Sequence, residues 1–179
     1  MTVPHLADTP VLETERLILR APQAGDWPAY SAFMASDRAR YVRPTDYDPA
    51  LTWRGFGHFI GHWVMCGFGQ FVVTERENGA VLGATGHWFP AGWPEREIGW
   101  MVWAPEAEGK GIAYEAAAAV RDHSFGTLGW DTAVSYIAPA NSRSIALAER
   151  LGARLDPQAQ APGGHGEVLV YRHPKPEGL

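Results

Sequence analysis

Three features of this chain have the residue types and spacing to do chemistry. Glu97 is a carboxylate opening the run EIGWMVW, whose aromatic and branched residues suit a buried strand. Pro105 closes that run, because proline cannot donate to a ladder. The second feature follows as Glu108-Gly109-Lys110-Gly111-Ile112-Ala113, where the glycines let the backbone turn sharply and approach a ligand closely. From Ile112 an alanine-rich run is strongly helix-forming, and Gly126 suits the position just past its end. A strand feeding a glycine turn that opens a helix aims unpaired N–H groups at one spot, which makes an anion site, most often for phosphate. The third feature is the polar group Asn141, Ser142 and Ser144 at the head of a short helical segment. Those residue types are suited to capping a helix.

The elements that would position these groups are legible along the chain. Arg16–Arg20 (RLILR) predicts a first strand, and Asp26 with Pro28 predicts an N-cap for a helix through about Ala35. YVRPTDYDP carries loop punctuation. From Leu51 to Val64, Trp53, Phe56, Ile60, Trp63 and Val64 recur at helical spacing, interrupted by Gly55, Gly57 and Gly61. Phe71–Thr74 and Val81–Trp88 predict a hairpin turned at Asn78-Gly79. Thr132–Ala138 predicts the strand after the alanine-rich helix, Arg143–Leu151 a helix ended by Gly152, and Val168–Arg172 a closing strand. Leu155–Gly166 reads as a loop, and residues 172–179 read as a frayed tail. The order predicts a mixed sheet in one α/β or α+β domain spanning 1–179.

Composition bounds the function. A chain of 179 residues with 46% hydrophobic residues buries roughly 70% of its unfolded surface, enough for a core without disulfides. Cys66 is the only cysteine, which suits a reducing compartment. The N-terminal MTVPHLADTPV does not read as a signal peptide and no run is long enough to span a bilayer, so a cytoplasmic protein without membrane contact is expected. The net charge of -5 argues against nucleic acid as the main partner. His58 and His62 stand one helical turn apart, but no third ligand is at motif spacing, so no metal is expected.

Taken alone, the glycine turn fits a purely structural bend, a dinucleotide loop or another phosphate cradle. The dinucleotide pattern lacks its third glycine, since Tyr114 stands there, and Asp131 precedes the next strand instead of ending it. A P-loop is excluded because no Gly-Lys-Ser/Thr is at the required spacing. Glu108-Gly109-Lys110-Gly111-Ile112-Ala113 resembles the acyl-CoA pyrophosphate loop, Gln/Arg-x-x-Gly-x-Gly/Ala, of the GNAT acetyltransferases. LETERLILR followed by Asp26, EIGW before the loop, YEAAAAV after it, and N-x-x-S-x-x-L-x-E-R-L-G-A from Asn141 to Ala153 resemble the ribosomal-protein N-acetyltransferase (RimJ/RimL-like) branch. Glu108 departs from the pattern, and its side chain is expected to point away from the phosphates.

The resemblance implies a single-domain GNAT-like fold: a mixed, mostly antiparallel sheet with a central splayed parallel strand pair, flanked by helices. It implies acetyl-CoA as co-substrate and a small-molecule or peptide amine as acceptor, and a homodimer is compatible with it. A non-catalytic CoA-binding module on the same fold is the alternative. The backbone amides of Gly109, Lys110, Gly111, Ile112 and Ala113 would hold the pyrophosphate, aided by the helix dipole. An amine is largely protonated at neutral pH, so transfer needs a general base. Glu97 is the resemblance's choice, and His87 on the preceding strand is the other candidate by intrinsic pKa. The resemblance also places the oxyanion donor at the Met101 backbone N–H, the pantetheine partner at Trp103, CoA contacts at Asn141, and a donor to the leaving sulfur at Ser144. The tyrosine many relatives use for that last role is absent, because Ala148 stands at its position.

Overall fold

The computed structural model describes residues 3–43, 46–164 and 166–178. Pro44 and Thr45 of the expected YVRPTDYDP loop, and His165 of the later one, lie outside the described residues. In chain order the elements are β1 (Leu12–Glu13), β2 (Leu17–Arg20), α1 (Trp27–Ala35), α2 (Pro49–Cys66), β3 (Gln70–Glu75), β4 (Val81–Trp88), β5 (Glu97–Val102), α3 (Ile112–Gly126), β6 (Ala133–Ile137), α4 (Ser142–Arg150), β7 (Arg154–Leu155) and β8 (Leu169–His173). They form one sheet ordered β1-β2-β3-β4-β5-β6-β8-β7. Every pairing is antiparallel except β5 with β6. The mixed, mostly antiparallel sheet with one central parallel pair is the architecture expected from sequence.

That parallel pair positions the site. Its register is a single residue pair, Glu97 with Val134. From there the strands diverge, and the Ile98 carbonyl is met by the Ser135 hydroxyl at 2.6 Å in place of a backbone N–H. A buried carbonyl must find a donor somewhere, and here a side chain supplies it where the ladder stops. Ser135 also meets His173 Nε2 at 2.9 Å, tying the start of the gap to β8.

Local signals set the helices. Asp48 caps α2 by accepting from the N–H groups of Ala50 and Leu51, Pro49 takes the first turn, and Gly67 ends it in the left-handed conformation at φ 74°. Asp26 does not cap α1 as expected. It is buried in a bidentate pair with Arg20 at 2.7 and 2.8 Å and accepts from the Gln23 N–H, so its oxygens serve the preceding turn. The two-residue strands β1 and β7 escape the sequence pattern because they are too short to show alternation. Strand β8 also begins and ends one residue later than expected.

Each face of the sheet is covered. Leu17, Phe71, Ile98, Ala116, Val120 and Phe125 join the sheet to α3. Tyr30, Phe33, Phe56, Phe59, Val72 and Ala84 join it to α1 and α2. Phe71 and Leu17 are fully buried, each contributing about 1.5–3 kcal/mol of transfer free energy. Among the described residues no helix is long and apolar enough to cross a membrane.

Candidate active site

A cavity of about 720 Å³ follows β5 from Glu97 to the head of α4. Glu97, Gly99, Trp100 and Met101 line it from β5, Ser135 and Tyr136 from β6, and Asn141 and Ser144 from α4. Tyr30, Tyr47, His58, Trp88 and Trp93 supply aromatic walls at the Glu97 end.

Glu97 is half-buried in the cavity wall, and the side chains around its carboxyl shield it from bulk water. Burial pushes its pKa up to about 7, against the opposing pull of hydrogen bonds from the Trp93 indole (2.8 Å) and the Tyr136 backbone N–H. Its charged form is thus accessible near neutrality, as a general base requires. Trp93 is held in place from behind. The loop carrying it is clamped by Arg172, which pairs with Glu95 at 2.6 and 2.9 Å and with Asp156 at 2.7 Å. Tyr136 stands against Trp93 with ring centroids 6.3 Å apart, and burial pushes its phenol up to about 12.

His87 is elsewhere. It is fully buried on the α3 side of the sheet, where Nε2 meets the Ser124 hydroxyl at 2.8 Å, and burial first, then His123, pull its pKa down to about 3. It is a packed core histidine. His58 and His62 do not make a metal pair either. His62 Nδ1 meets the Phe68 carbonyl at 2.7 Å and Nε2 accepts the Phe89 N–H at 3.0 Å, so both ring nitrogens are occupied. Among the described residues no cluster of three or more His, Cys, Asp or Glu side chains converges as metal ligands. Of the aromatic residues expected on α2, Phe56 and Trp63 are core and Trp53 is 59% exposed against Trp27, while Trp88 at the end of β4 and Trp93 in the loop after it line the cavity.

The backbone positions expected on β5 fall one residue away from the gap. In an antiparallel ladder alternate residues point N–H and C=O to the same neighbour. Trp103 donates to the Leu82 carbonyl at 2.8 Å, and the Gly99 carbonyl accepts from Thr85, so this parity, Met101 included, faces β4. The opposite edge belongs to Ile98, Trp100 and Val102, as the Ser135 bond to Ile98 shows. Met101 still lines the cavity, whereas Trp103 is buried, with its carbonyl held by Arg38 at 2.7 Å.

At the far end, Asn141 Oδ1 caps α4 by accepting the Ser144 N–H at 3.3 Å. The Ser144 hydroxyl accepts from the Trp100 indole at 3.2 Å, which leaves its own O–H to donate into the cavity. Ala148 is fully buried in the small cluster of Ile137, Ala153 and Tyr171, where a tyrosine would not fit without rearrangement.

The glycine turn is built as its sequence suggests. Gly109 and Gly111 adopt φ 72° and 77°, which only glycine takes readily, and Gly111 is the N-cap of α3. Arg16 braces the turn, donating to the Lys110 carbonyl at 3.0 Å while paired with Glu115 at 2.7 Å. Glu108 is turned between two arginines, Arg38 at 2.6 Å and Arg143 at 2.7 Å, and Arg38 holds its carboxyl below the usual range. Arg38 also donates to the carbonyls of Val102 and Trp103, locking the end of β5 to the turn. Sequence reasoning missed Arg38, Gln70 and Tyr136, which no motif marks and which only the tertiary fold brings to β5.

This arrangement can hold a pyrophosphate at a helix N-terminus, lay an extended thioester arm along an unpaired strand edge, and take a proton at the far end. The Acetyltransferase (GNAT) domain model matches residues 16–154. An acetyltransferase from Agrobacterium tumefaciens is 41% identical, with TM-score 0.85 over 97% of this chain and 99% of that one. A putative GNAT-family acetyltransferase from Bordetella pertussis is 25% identical, with TM-score 0.74 over 92% and 99%. A ribosomal L7/L12 alpha-N-protein acetyltransferase solved with coenzyme A shares the fold at 19% identity, with TM-score 0.69 over 92% and 97%. With the family model covering most of its length and an acetyltransferase 41% identical over 97% of it, the chain belongs to the GNAT acetyltransferase family.

Proposed function

We propose that the protein transfers an acetyl group from acetyl-CoA to a primary amine, by direct attack within a ternary complex. The observation that carries this reading is one continuous cavity with a desolvated carboxylate, Glu97, at one end and a hydroxyl free to donate, Ser144, at the other. When bound, acetyl-CoA supplies an electrophilic thioester carbonyl. Glu97 accepts the proton that the ammonium group of the acceptor must lose before it can attack. The N–H groups on the Trp100 and Val102 edge stabilise charge developing on the carbonyl oxygen, and being backbone they need no reorganisation to do so. Ser144 hydrogen-bonds the sulfur as the carbon–sulfur bond breaks, and the second proton that the nitrogen sheds on becoming an amide goes to the departing thiolate, which leaves as the thiol. The amides from Gly109 to Ala113 hold the pyrophosphate, with Lys110, exposed beside them, as a point charge. Asn141 contacts the CoA arm from the head of α4.

Cys66 ends α2 away from the cavity lining, which supports direct attack over an acyl-cysteine step. The acceptor is a protein N-terminus or a small-molecule amine, and its aromatic surroundings favour a cation held against ring faces. The lone cysteine suits a cytoplasmic setting. Thermal shift with acetyl-CoA, CoA and NAD tests the cofactor: stabilisation by both CoA species and not by NAD is expected, and no response to either CoA species overturns the reading. Turnover with spermidine, phenethylamine and short peptides beginning with serine, alanine or methionine then identifies the acceptor class.

A further inference from the structure

The wall of the cavity contains a polar group that the chemistry above does not use. Gln70, the first residue of β3, is only 5% exposed, yet it lines the cavity. Its Oε1 is buried without a hydrogen-bond partner, and among the described residues its Nε2 makes none. An unpaired buried amide carries a desolvation cost, so its presence needs a reason.

The sheet shows how the side chain reaches the site. Gln70 is directly opposite Gly86 on β4, and Gly86 is directly opposite Gly99 on β5. The sheet is therefore bare of side chains on two successive strands beside Gln70. A methyl on Gly86 would meet the Gly69 carbonyl oxygen at 2.4 Å and Gln70 Cα at 2.7 Å, so no side chain fits there. A methyl on Gly99 would meet Gln70 Nε2 at 3.5 Å and Glu97 Oε1 at 3.7 Å. Gln70 and Glu97, which belong to different strands, thus converge on one spot above Gly99. No hydrogen bond joins them to each other.

We propose that Gln70 and Glu97 form a two-point receptor for the reacting nitrogen of the acceptor, seated over Gly99. This rests on the acetyl-transfer reading. A primary ammonium has three N–H donors: Glu97 accepts one and takes its proton, and Gln70 Oε1 accepts a second. The amide can turn to present either end, because no protein group fixes its orientation. Two fixed acceptors also orient the nitrogen lone pair once the proton has gone, which is a positioning role. The receptor selects primary over tertiary amines, because a tertiary ammonium has a single N–H and cannot bond both groups.

The test compares Gln70→Met, which keeps length and volume, and Gly99→Ala, whose methyl makes only ordinary contacts and so leaves the fold intact. The acceptor is the best substrate of the amine panel above. Gln70→Met should raise the KM for that amine about tenfold, the loss expected for one hydrogen bond to a charged group, and Gly99→Ala, whose methyl fills the seat itself, at least as much, while the KM for acetyl-CoA stays within about twofold. Calorimetric binding of the same amine to the CoA-loaded protein should weaken by the same factor, without any turnover. Wild-type turnover with an unchanged amine KM in Gln70→Met overturns this inference and leaves acetyl transfer standing. An equal rise in both KM values with a lower Tm also overturns it, by making Gln70 structural. A wild-type protein that binds CoA but neither binds nor acetylates any amine overturns both readings.

Discussion

The two ends of β5 present the same side chain in opposite electrostatic settings. Glu97 opens the strand at the cavity floor with only neutral donors, the Trp93 indole and the Tyr136 amide, and burial drives its pKa up to about 7. Glu108, in the turn beyond the strand's other end, sits between Arg38 and Arg143, and Arg38 holds its pKa down. The first carboxylate can exchange a proton near neutrality and the second cannot. The difference comes from placement: a buried carboxyl with neutral neighbours is poised for acid–base work, while a carboxylate beside guanidinium groups becomes a fixed structural charge.

The sharpest way to break this comparison is to neutralise the poised member. Glu97→Gln keeps shape and hydrogen-bonding capacity but cannot take a proton. It should lower kcat by roughly 10²–10⁴-fold, the range for removal of a general base. The wild-type rate should fall below about pH 7 as Glu97 protonates. In the variant that limb should vanish, leaving only the titration of the amine itself. A variant with the wild-type pH–rate profile would show that the proton goes elsewhere.

The same substitution reports on stability, with the sign fixed by linkage. A carboxyl whose folded-state pKa is raised from 4.5 to about 7 holds its proton more tightly in the folded chain. Its contribution to folding is therefore present at low pH and is lost as pH rises through about 7. Glu97→Gln stays neutral throughout, so it should be more stable than the parent at pH 8, by roughly 3 kcal/mol at most, and within about 1 kcal/mol of it at pH 5. Denaturant unfolding at the two pH values measures this directly. A variant less stable than the parent at pH 8 would mean that the carboxylate has a favourable partner.

Ser144→Ala tests the other end of the cavity. With the Trp100 indole left to donate to nothing, and the sulfur without its O–H, kcat should fall about tenfold, with little change in the KM for acetyl-CoA. Loss of acetyl-CoA binding in place of rate would make the Ser144 hydroxyl a contact that holds the cofactor and not the donor to the sulfur.

Much of this was legible in the chain, and the reasons for the exceptions are physical. The order of the elements, the glycine turn and Glu97 follow from local pattern, because propensity and turn chemistry act over a few residues. The parity of β5 does not. Whether Met101 or Val102 faces the gap depends on which edge of the strand pairs with β4, and a one-residue difference in that register exchanges the edges. Gln70 carries no signal in the sequence, since its reach to Glu97 depends on Gly86 and Gly99 lying beside it on neighbouring strands. Nor could the partners of Glu108 be read, because Arg38 follows α1 and Arg143 is on α4, both far from the turn in sequence.

Glu108→Gln sharpens the comparison with the smallest effect. It restores the residue type that the pyrophosphate loop pattern calls for and removes one negative charge beside the amides of Gly109 to Ala113. The Arg143 side chain is 82% exposed, so its release costs little and leaves a cation near the phosphates. Arg38 keeps its bonds to the Val102 and Trp103 carbonyls, so the end of β5 should hold its place. Binding of CoA should tighten by about two- to fivefold at low ionic strength, and the gain should shrink with added salt as exposed charges are screened. The kcat should not change, because Glu108 exchanges no proton in the reaction. Weaker CoA binding in Glu108→Gln would mean that the carboxylate is needed to hold both arginines in place, and that its value as a brace exceeds the repulsion it brings.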